Sequence, residues 1–108
     1  MKRVNITELV KHPSGFTTYE GELFSGQAVD LAEDGTRIHE HHYHEGLLDG
    51  PVRSFYSDGS NYSDITYVKG IPNGVALEWD EDGNMTQIIY QDGVETSRSE
   101  PKQKEASE

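Results

Sequence analysis

The 108-residue sequence has no cysteine, few hydrophobic residues and few bases. The absence of cysteine excludes disulfide bonds, thiolate metal sites and cysteine catalysis. Only 32% of the residues are hydrophobic, and they form short alternating runs. No run approaches the roughly 20 apolar residues that span a membrane, and residues 1–9 lack the apolar core of a secretory signal. We therefore expect one small cytoplasmic domain with a thin core.

Bases are scarcest in the middle of the chain. Residues 13–94 contain 15 acidic residues against three basic ones, so their net charge is −12, within a total of −11 for the whole chain. Such a body repels phosphate backbones and anionic lipid and attracts basic surfaces. We therefore expect neither nucleic acid nor membrane as a partner. The same acidity also keeps a small β protein in solution.

Glycine, in contrast, is abundant and periodic. Nine of the eleven glycines fall into three series with spacings of 24 or 23 residues: Gly26, Gly50 and Gly74; Gly35, Gly59 and Gly83; Gly46, Gly70 and Gly93. Tyrosines keep the same spacing at Tyr19, Tyr43, Tyr67 and Tyr90. Repetition with a fixed period is the sequence signature of repeat architectures.

The glycines predict two kinds of turn. Asp-Gly pairs at 34–35, 58–59 and 82–83 separate alternating runs, which is typical of tight β-hairpin turns. Residues 45–50 and 69–74 carry two glycines each, four residues apart, and predict longer connections. Two turn types that alternate along the chain indicate an all-β fold, an antiparallel meander of tandem 24-residue hairpins.

Alternation along the strands predicts one apolar face. We assign to it Val29, Leu31, Phe55, Val75, Leu77 and Trp79 from the outgoing strands, and His41, Tyr43, Ile65, Tyr67, Ile88 and Tyr90 from the returning strands. Arg53 interrupts this face, either as a side chain that extends to an edge or as a partner contact. The opposite face is largely polar, as expected for a sheet solvated on one side.

The periodicity also divides the chain. Residues 16–95 are assigned to the hairpin domain, with 16–23 as its first strand. Residues 1–15 form an N-terminal edge segment, compatible with an edge strand or a short helix. Residues 96–108 have no aliphatic run and are predicted to be a disordered tail.

Residues 43–59 resemble a MORN-type repeat in its variant form, Tyr-x-x-Gly-x-x-x-Gly, then a strand that ends in an aromatic residue, then an acidic residue and Gly. The matching positions are Tyr43, Gly46, Gly50, Phe55, Tyr56, Asp58 and Gly59. The unit that begins at Tyr67 fits equally well, and the one at Tyr90 is truncated. The first unit, at Tyr19, is degenerate, because Glu22 stands at the position of the first glycine. The resemblance covers residues 19–93.

The resemblance implies a curved, single-layer antiparallel sheet of hairpins without catalytic residues or cofactor. Short bacterial proteins built of this variant are commonly antitoxins or immunity proteins of secreted toxins. The implied function is therefore to bind and neutralise a cognate toxin through an acidic sheet surface, which suits a toxin with a basic active site. The alternative is a scaffolding repeat module that self-associates, as a homodimer, through open sheet edges or its apolar face.

The candidate partner-binding residues are the acids and aromatics predicted for the polar face, since aromatics supply anchor area and acids supply charge complementarity. They are Asp30, Glu40, Tyr56, Tyr62, Asp64, Glu78 and Asp80.

Residues 39–44, His-Glu-His-His-Tyr-His, form the densest polar cluster. Alternation on a strand places His39 and His41 on one face and Glu40, His42 and His44 on the other. Neighbours two residues apart can chelate a divalent ion, but the pattern supplies no positioned third and fourth ligand. No nucleophile motif accompanies the cluster. We expect no metal site, no cofactor and no enzymatic activity.

Overall fold

A computed structural model describes residues 3–99. This part of the chain forms two open sheets and contains no α-helix, so the prediction of an all-β protein is confirmed. The strands are β1 (Arg3–Asn5), β2 (Val10–Lys11), β3 (Thr17–Tyr19), β4 (Glu22–Leu23), β5 (Gly26–Leu31), β6 (Arg37–His44), β7 (Leu47–Leu48), β8 (Gly50–Phe55), β9 (Asn61–Val68), β10 (Ile71–Trp79), β11 (Met85–Gln91) and β12 (Val94–Arg98).

The larger sheet has the strand order β1-β5-β6-β8-β9-β10-β11-β12, and β7 also pairs with β6. Its pairs are antiparallel except for β1, which lies parallel to β5. The smaller sheet consists of β2, β3 and β4. We predicted that residues 16–23 supply the first strand of the main sheet, and this prediction was wrong. They form a separate short hairpin, because a two-residue turn intervenes between β3 and β4.

The N-terminal segment contains both elements that its sequence allowed. Strand β1 lies at the sheet edge, with Val4 opposite Ala28, and a 3-10 helix follows over Ile6–Glu8. The helix begins at Asn5, whose side chain accepts the Thr7 N–H at 2.9 Å, while the Glu8 carboxylate accepts the Asn5 N–H at 3.1 Å. This capping box satisfies backbone donors that the helix leaves without partners.

The N-terminal segment covers one end of the core. The buried cluster there consists of Val4, Phe24, Ala28 and Tyr43, and the partly buried side chains against it are Ile6, Leu9, Tyr19 and Leu48. The Phe24 ring makes edge contacts with both tyrosines, at centroid distances of 5.9 Å and 5.7 Å. Aromatic edge contacts of this kind add to the free energy gained by burial alone.

The connections that were predicted to be long are tight turns. Lys69 and Gly70 have φ values of +51° and +87°, and the strand resumes directly at Ile71. Two successive left-handed residues define the type I′ turn, whose twist matches that of the flanking strands. The same pair of values recurs at residues 20–21, 45–46 and 92–93. The later glycine of the predicted loop, Gly74, lies where the register between β9 and β10 shifts.

The Asp-Gly pairs are hairpin turns, as predicted, but with three-residue loops. At the first, the Gly35 N–H donates to the Ala32 carbonyl at 2.9 Å, and the Ala32 N–H donates to the Thr36 carbonyl at 2.8 Å. Only the glycine has a positive φ there, +90°. The Asp34 carboxylate accepts the Thr36 N–H at 2.9 Å. A hydrogen bond with the Thr36 side chain, together with this backbone bond, lowers the Asp34 pKa. The aspartate therefore closes the loop while it is ionised.

Each later type I′ turn is hydrogen-bonded to a segment that we call its acceptor triplet. The triplets are residues 23–25, 47–49 and 71–73. The turn glycine donates its N–H to the middle carbonyl in three bonds: Gly46 to Phe24 (2.8 Å), Gly70 to Leu48 (2.7 Å) and Gly93 to Pro72 (2.8 Å). The residue before the glycine donates to the third side chain: Glu45 to Ser25 (2.7 Å), Lys69 to Asp49 (3.3 Å) and Asp92 to Asn73 (3.2 Å).

The first side chain of each triplet packs over the turn glycine. A Cβ on Gly46 would lie 2.8 Å from Leu23 Cδ2, and one on Gly93 would lie 2.8 Å from Ile71 Cγ2. At Gly70 the nearest atom belongs to Leu47, at 3.5 Å. One carbonyl, one polar side chain and one aliphatic side chain therefore hold each turn.

The two faces of the main sheet differ from the prediction. Ala76 pairs with both Ile65 and Ile88, and directly paired residues project to the same side. The interior face therefore takes the small residues of the outgoing strands, Ala28 and Ala76, which are 0% and 1% exposed. The assignment of Val29, Leu77 and their neighbours to the same face as the returning strands was wrong, because the register shifts change the alternation by one residue.

Part of the segment predicted to be a disordered tail is a β-strand. Residues 96–98 belong to β12, which pairs with β11. The Thr96 hydroxyl donates to the Ile89 carbonyl at 3.3 Å, and the Ser99 N–H donates to the Gln87 carbonyl at 2.8 Å. These bonds order the segment although it has little apolar surface. The prediction for residues 100–108 lies outside the described residues.

Replacement of Gly46 by alanine tests the packing of the turn. The alanine would have an unfavourable φ of +87°, and its Cβ would lie 2.8 Å from Leu23 and 3.1 Å from the Thr17 carbonyl oxygen. Gly59 has a similar φ, +89°, with nothing within 4 Å of a Cβ, so Gly59→Ala is the matched control. In urea denaturation we expect the free energy of unfolding to fall by about 1 kcal/mol for Gly59→Ala and by about 2–4 kcal/mol for Gly46→Ala. Equal losses would contradict the packing role.

Candidate binding surface

The interior face contains a surface depression of about 330 Å³, which we call the tyrosine cavity. Tyr56 and Tyr62 line it together with Glu78, Asp80 and Thr86. The cavity lies beside the Asp58–Gly59 turn, where β8 ends and β9 begins. It combines aromatic rings, carboxylates and a hydroxyl in one opening.

A register shift positions Tyr62. Ser54 pairs with Ser63 and Phe55 pairs with Asn61, so Tyr62 is the additional residue on β9. Such bulges bend a strand and redirect a side chain. The Tyr62 ring lies 5.1 Å from the Tyr56 ring, centroid to centroid, with 60° between the planes, and Tyr62 remains 51% exposed. The bulge therefore brings the two rings together at the surface.

Tyr56 is held from the other side of the cavity. Its hydroxyl donates to the Trp79 carbonyl at 2.7 Å and joins the end of β8 to the end of β10. Partial burial raises the pKa of Tyr56, as do the negative charges of Glu81 and Asp80, so the phenol stays protonated and keeps this bond. Tyr56 is thus fixed, whereas Tyr62 is available for contact.

The carboxylate of Asp80 accepts the N–H groups of Asp82 and Asn84, both at 2.9 Å, and the Asn84 amide at 3.0 Å. The bonds from Asn84 lower the pKa of Asp80 most, so its charge persists at neutral pH. An adjoining depression of about 280 Å³ is lined by Asp58 and residues 80–83, among other groups. Negative charge therefore surrounds the tyrosine pair.

This combination of groups suits a cation. A guanidinium or ammonium is attracted to the face of an aromatic ring, and a carboxylate that accepts its hydrogen bonds strengthens the contact. The Lys or Arg side chain of a protein partner is a cation that also presents a flexible apolar stem. The tyrosine cavity is therefore chemically suited to a basic protein surface.

The structure distributes the seven predicted contact residues over three places. Four lie at the tyrosine cavity: Tyr56, Tyr62, Glu78 and Asp80. Asp30 is in the same cross-strand row as Glu78, through His39, Ser54 and Ser63. Four strand spacings separate it from Glu78, about 19 Å. Glu40 and Asp64 project from the opposite face.

Glu40 and Asp64 belong to an ion-pair network that the sequence did not reveal. Arg53 pairs with Glu40 on one side and with Asp64 on the other, at 3.0 Å and 3.3 Å, and Arg37 contacts Glu40 at 2.7 Å. Burial would raise the Glu40 pKa, but the bond and charge of Arg37 and the charge of Arg53 lower it. This explains Arg53 in a position where neighbouring units have Val29 and Leu77. The sequence feature that indicates this network is a base opposite an acid on each neighbouring strand. It can be recognised only when the strand pairing is known.

The histidine cluster is spread over several environments. His39 Nδ1 lies 3.3 Å from Asp30, and His42 Nδ1 lies 2.7 Å from the Pro51 carbonyl. His41 is directed to the interior face, at the position of Ile65 and Ile88. Among residues 3–99, no group of three or more metal-ligating side chains is arranged to hold an ion.

No family model, curated protein or solved structure matches this chain. Within residues 3–99, no helix has the length and apolar character that a membrane crossing requires.

Stability should depend on the titration of His41. Burial, reinforced by neighbouring positive charge, lowers its pKa from 6.5 to about 4. The unfolded chain takes up this proton below pH 6.5 and the folded chain does not, so stability falls as the pH decreases from 6.5 towards 4. Over that range the loss from His41 is about 3 kcal/mol.

His41→Ile, which reproduces the residue of the other two units, should remove most of this slope. Urea denaturation at pH 7.0 and pH 5.5 measures it above the range in which carboxylates titrate. His44→Gln, an exposed residue of the same strand, is the control for loss of an imidazole. An unchanged slope in His41→Ile would refute the assignment.

The Glu40 network predicts that Glu40→Gln destabilises the protein more than Asp64→Asn does. Glu40→Gln leaves Arg37 and Arg53 without their shared counter-charge and should lower the free energy of unfolding by about 2 kcal/mol, less than for a fully buried pair because both arginines contact solvent. Asp64→Asn removes one half-exposed contact and should cost under about 1 kcal/mol. Thermal unfolding compares the two, and equal losses would be inconsistent with a central role for Glu40.

Proposed function

We propose that the chain is a curved, single-layer array of MORN-like hairpin repeats. The support is the acceptor-triplet contact, which recurs with the 24-residue period of residues 23, 47 and 71. A contact that repeats with the sequence period holds neighbouring units in equivalent positions, as in solenoid proteins. The N-terminal strand and 3-10 helix would then form a cap over the first unit.

We propose further that this array is a bacterial antitoxin or immunity protein that acts in the cytoplasm and neutralises a cognate toxin. The observation that carries the proposal is the tyrosine cavity, where an exposed aromatic residue, Tyr62, lies among carboxylates. Exposed aromatics in partly enclosed sites are frequent binding hot spots. The partner would place a basic side chain of its active-site surface in this cavity.

The charge of the chain supports a basic partner. A body with 15 acids against three bases attracts a positive surface over long range and accelerates association. Two of those bases, Arg37 and Arg53, are engaged with Glu40 on the opposite face. The interior face at the tyrosine cavity therefore keeps its negative potential. An inhibitor of this kind blocks the toxin by occupying the cleft that binds its anionic substrate.

Co-expression with the toxin-like product of the neighbouring reading frame tests the function. We expect the wild-type chain to restore growth and the Tyr62→Ala/Glu78→Gln double variant to fail, with affinity reduced about 30-fold or more in a purified pair. Glu33→Gln, in an exposed turn, removes the same charge away from the cavity and should rescue normally. Failure of the wild type to rescue would disprove the function, and full rescue by the double variant would disprove the site.

A further inference from the structure

The array has two ends, and each carries one half of the contact that joins its units. After Gly46 and after Gly70, the first residue packs on the next turn, the second offers its carbonyl, and the third offers its side chain. After Gly93, the last turn glycine, these positions are Val94, Glu95 and Thr96. They form a fourth acceptor triplet, which we call the terminal triplet.

The terminal triplet has the geometry of the occupied ones. Glu95 pairs with Tyr90 as Leu48 pairs with Tyr43 and Pro72 pairs with Tyr67. The Leu48 and Pro72 carbonyls each accept the N–H of a turn glycine. The equivalent Glu95 carbonyl therefore points away from β11, along the outer edge of β12.

No turn among residues 3–99 occupies the terminal triplet. Val94 is 64% exposed, whereas its counterparts Leu23 and Ile71 are 52% and 46% exposed with a turn packed against them. Within the described part of the chain, β12 is the edge strand of the main sheet, and all five of its residues are exposed. An exposed edge of this kind readily binds further backbone.

The complementary half lies at the other end of the chain. Glu20 and Gly21 have φ values of +52° and +85°, the left-handed pair found in the three docked turns. Both residues are exposed. A Cβ on Gly21 would meet nothing within 4 Å, whereas each docked glycine is covered by an aliphatic side chain. This turn is thus presented to solvent with the shape that an acceptor triplet binds.

We propose that the terminal triplet of one copy binds the Glu20–Gly21 turn of a second copy, so that copies of the chain associate head to tail. The occupant is a second copy because the contact continues the one that already joins neighbouring units. The two surfaces are different, so the interface is heterologous and the assembly does not close at two copies. The inference does not rest on the proposed toxin partner.

The association is weak and increases with salt. A single turn buries little surface, which places the dissociation constant at about 0.1–1 mM. Glu20 approaches Glu95 in the contact, and each copy carries a net charge of −11. Screening of this repulsion favours assembly. Binding of a basic partner has the opposite salt dependence, so failure of one proposal is distinguishable from failure of the other.

Two variants of the full chain test the contact, one at each end. Val94→Asp alters an exposed position of the terminal triplet and adds a charge that repels Glu20. Gly21→Asn keeps the left-handed turn, which asparagine tolerates, and adds side-chain atoms where the triplet would pack. Sedimentation equilibrium up to about 1 mM protein measures assembly, and urea midpoints equal to wild type verify folding.

We expect the average mass of the wild type to rise with concentration beyond that of a dimer, more so in high salt, and each variant alone to remain monomeric. An equimolar mixture should form dimers and stop there, because Val94→Asp keeps an intact turn and Gly21→Asn keeps an intact triplet. A monomeric wild type at about 1 mM overturns the proposal. Assembly by either variant alone would also overturn it, because it would indicate a symmetric interface. A mixture that does not form dimers would overturn it as well, because it would indicate that the two ends do not bind each other.

Discussion

The type I′ turn, with two successive residues in the left-handed region, organises the whole sheet. It directs two adjacent N–H groups out of the hairpin, where a carbonyl and a polar side chain of the acceptor triplet receive them. The second position has φ values of +85° to +89°, which only glycine adopts readily. The glycine also has no Cβ, so an aliphatic side chain can lie directly on the backbone. Conformation and packing thus require the same residue.

The turn contact explains how a chain with so few apolar residues forms an ordered sheet. Fully buried apolar side chains are small or few, with Ala28, Ala76 and Ile88 the most completely enclosed. Hydrogen bonds between each later turn and its acceptor triplet add to this limited burial, and each satisfies a backbone group that would otherwise need water. The short loops reduce the entropy lost when each hairpin closes. The turn contacts and the short loops therefore contribute much of the order that a larger core supplies in other proteins.

The strand register determines how charge is distributed. On one face, Glu40, Arg53 and Asp64 lie in a row, and together with Arg37, which also contacts Glu40, their charges cancel. On the other, the bulge at Tyr62 places an aromatic pair beside Glu78 and leaves the acidic potential in place. An acidic sequence thus produces one balanced face and one negative face. The negative face is the one on which the proposed function depends.

Part of the candidate site was predictable, and the physical reason is composition. Aromatics and acids near the Asp58–Gly59 turn were sufficient to select Tyr56, Tyr62 and Glu78. The grouping of Asp64 with them was wrong, since residues 63 and 64 project to opposite faces and only the pairing partner shows which face is which. The Arg53 network was missed for the same reason. A period-two pattern shows which side chains of one strand share a face. A single bulge changes which face of the next strand they match, and the pattern does not reveal the bulge.

The all-β class, the positions of the turns and their 24-residue spacing could be predicted from the amino-acid sequence, because glycine is the residue that left-handed turn positions require. The three-dimensional fold was needed to show that the long connections are two-residue turns, that residues 96–98 continue the sheet, and which face each acid occupies. These outcomes depend on backbone hydrogen bonds between segments that are distant along the chain. Side-chain patterns do not encode such bonds, since every residue other than proline offers the same donor and acceptor.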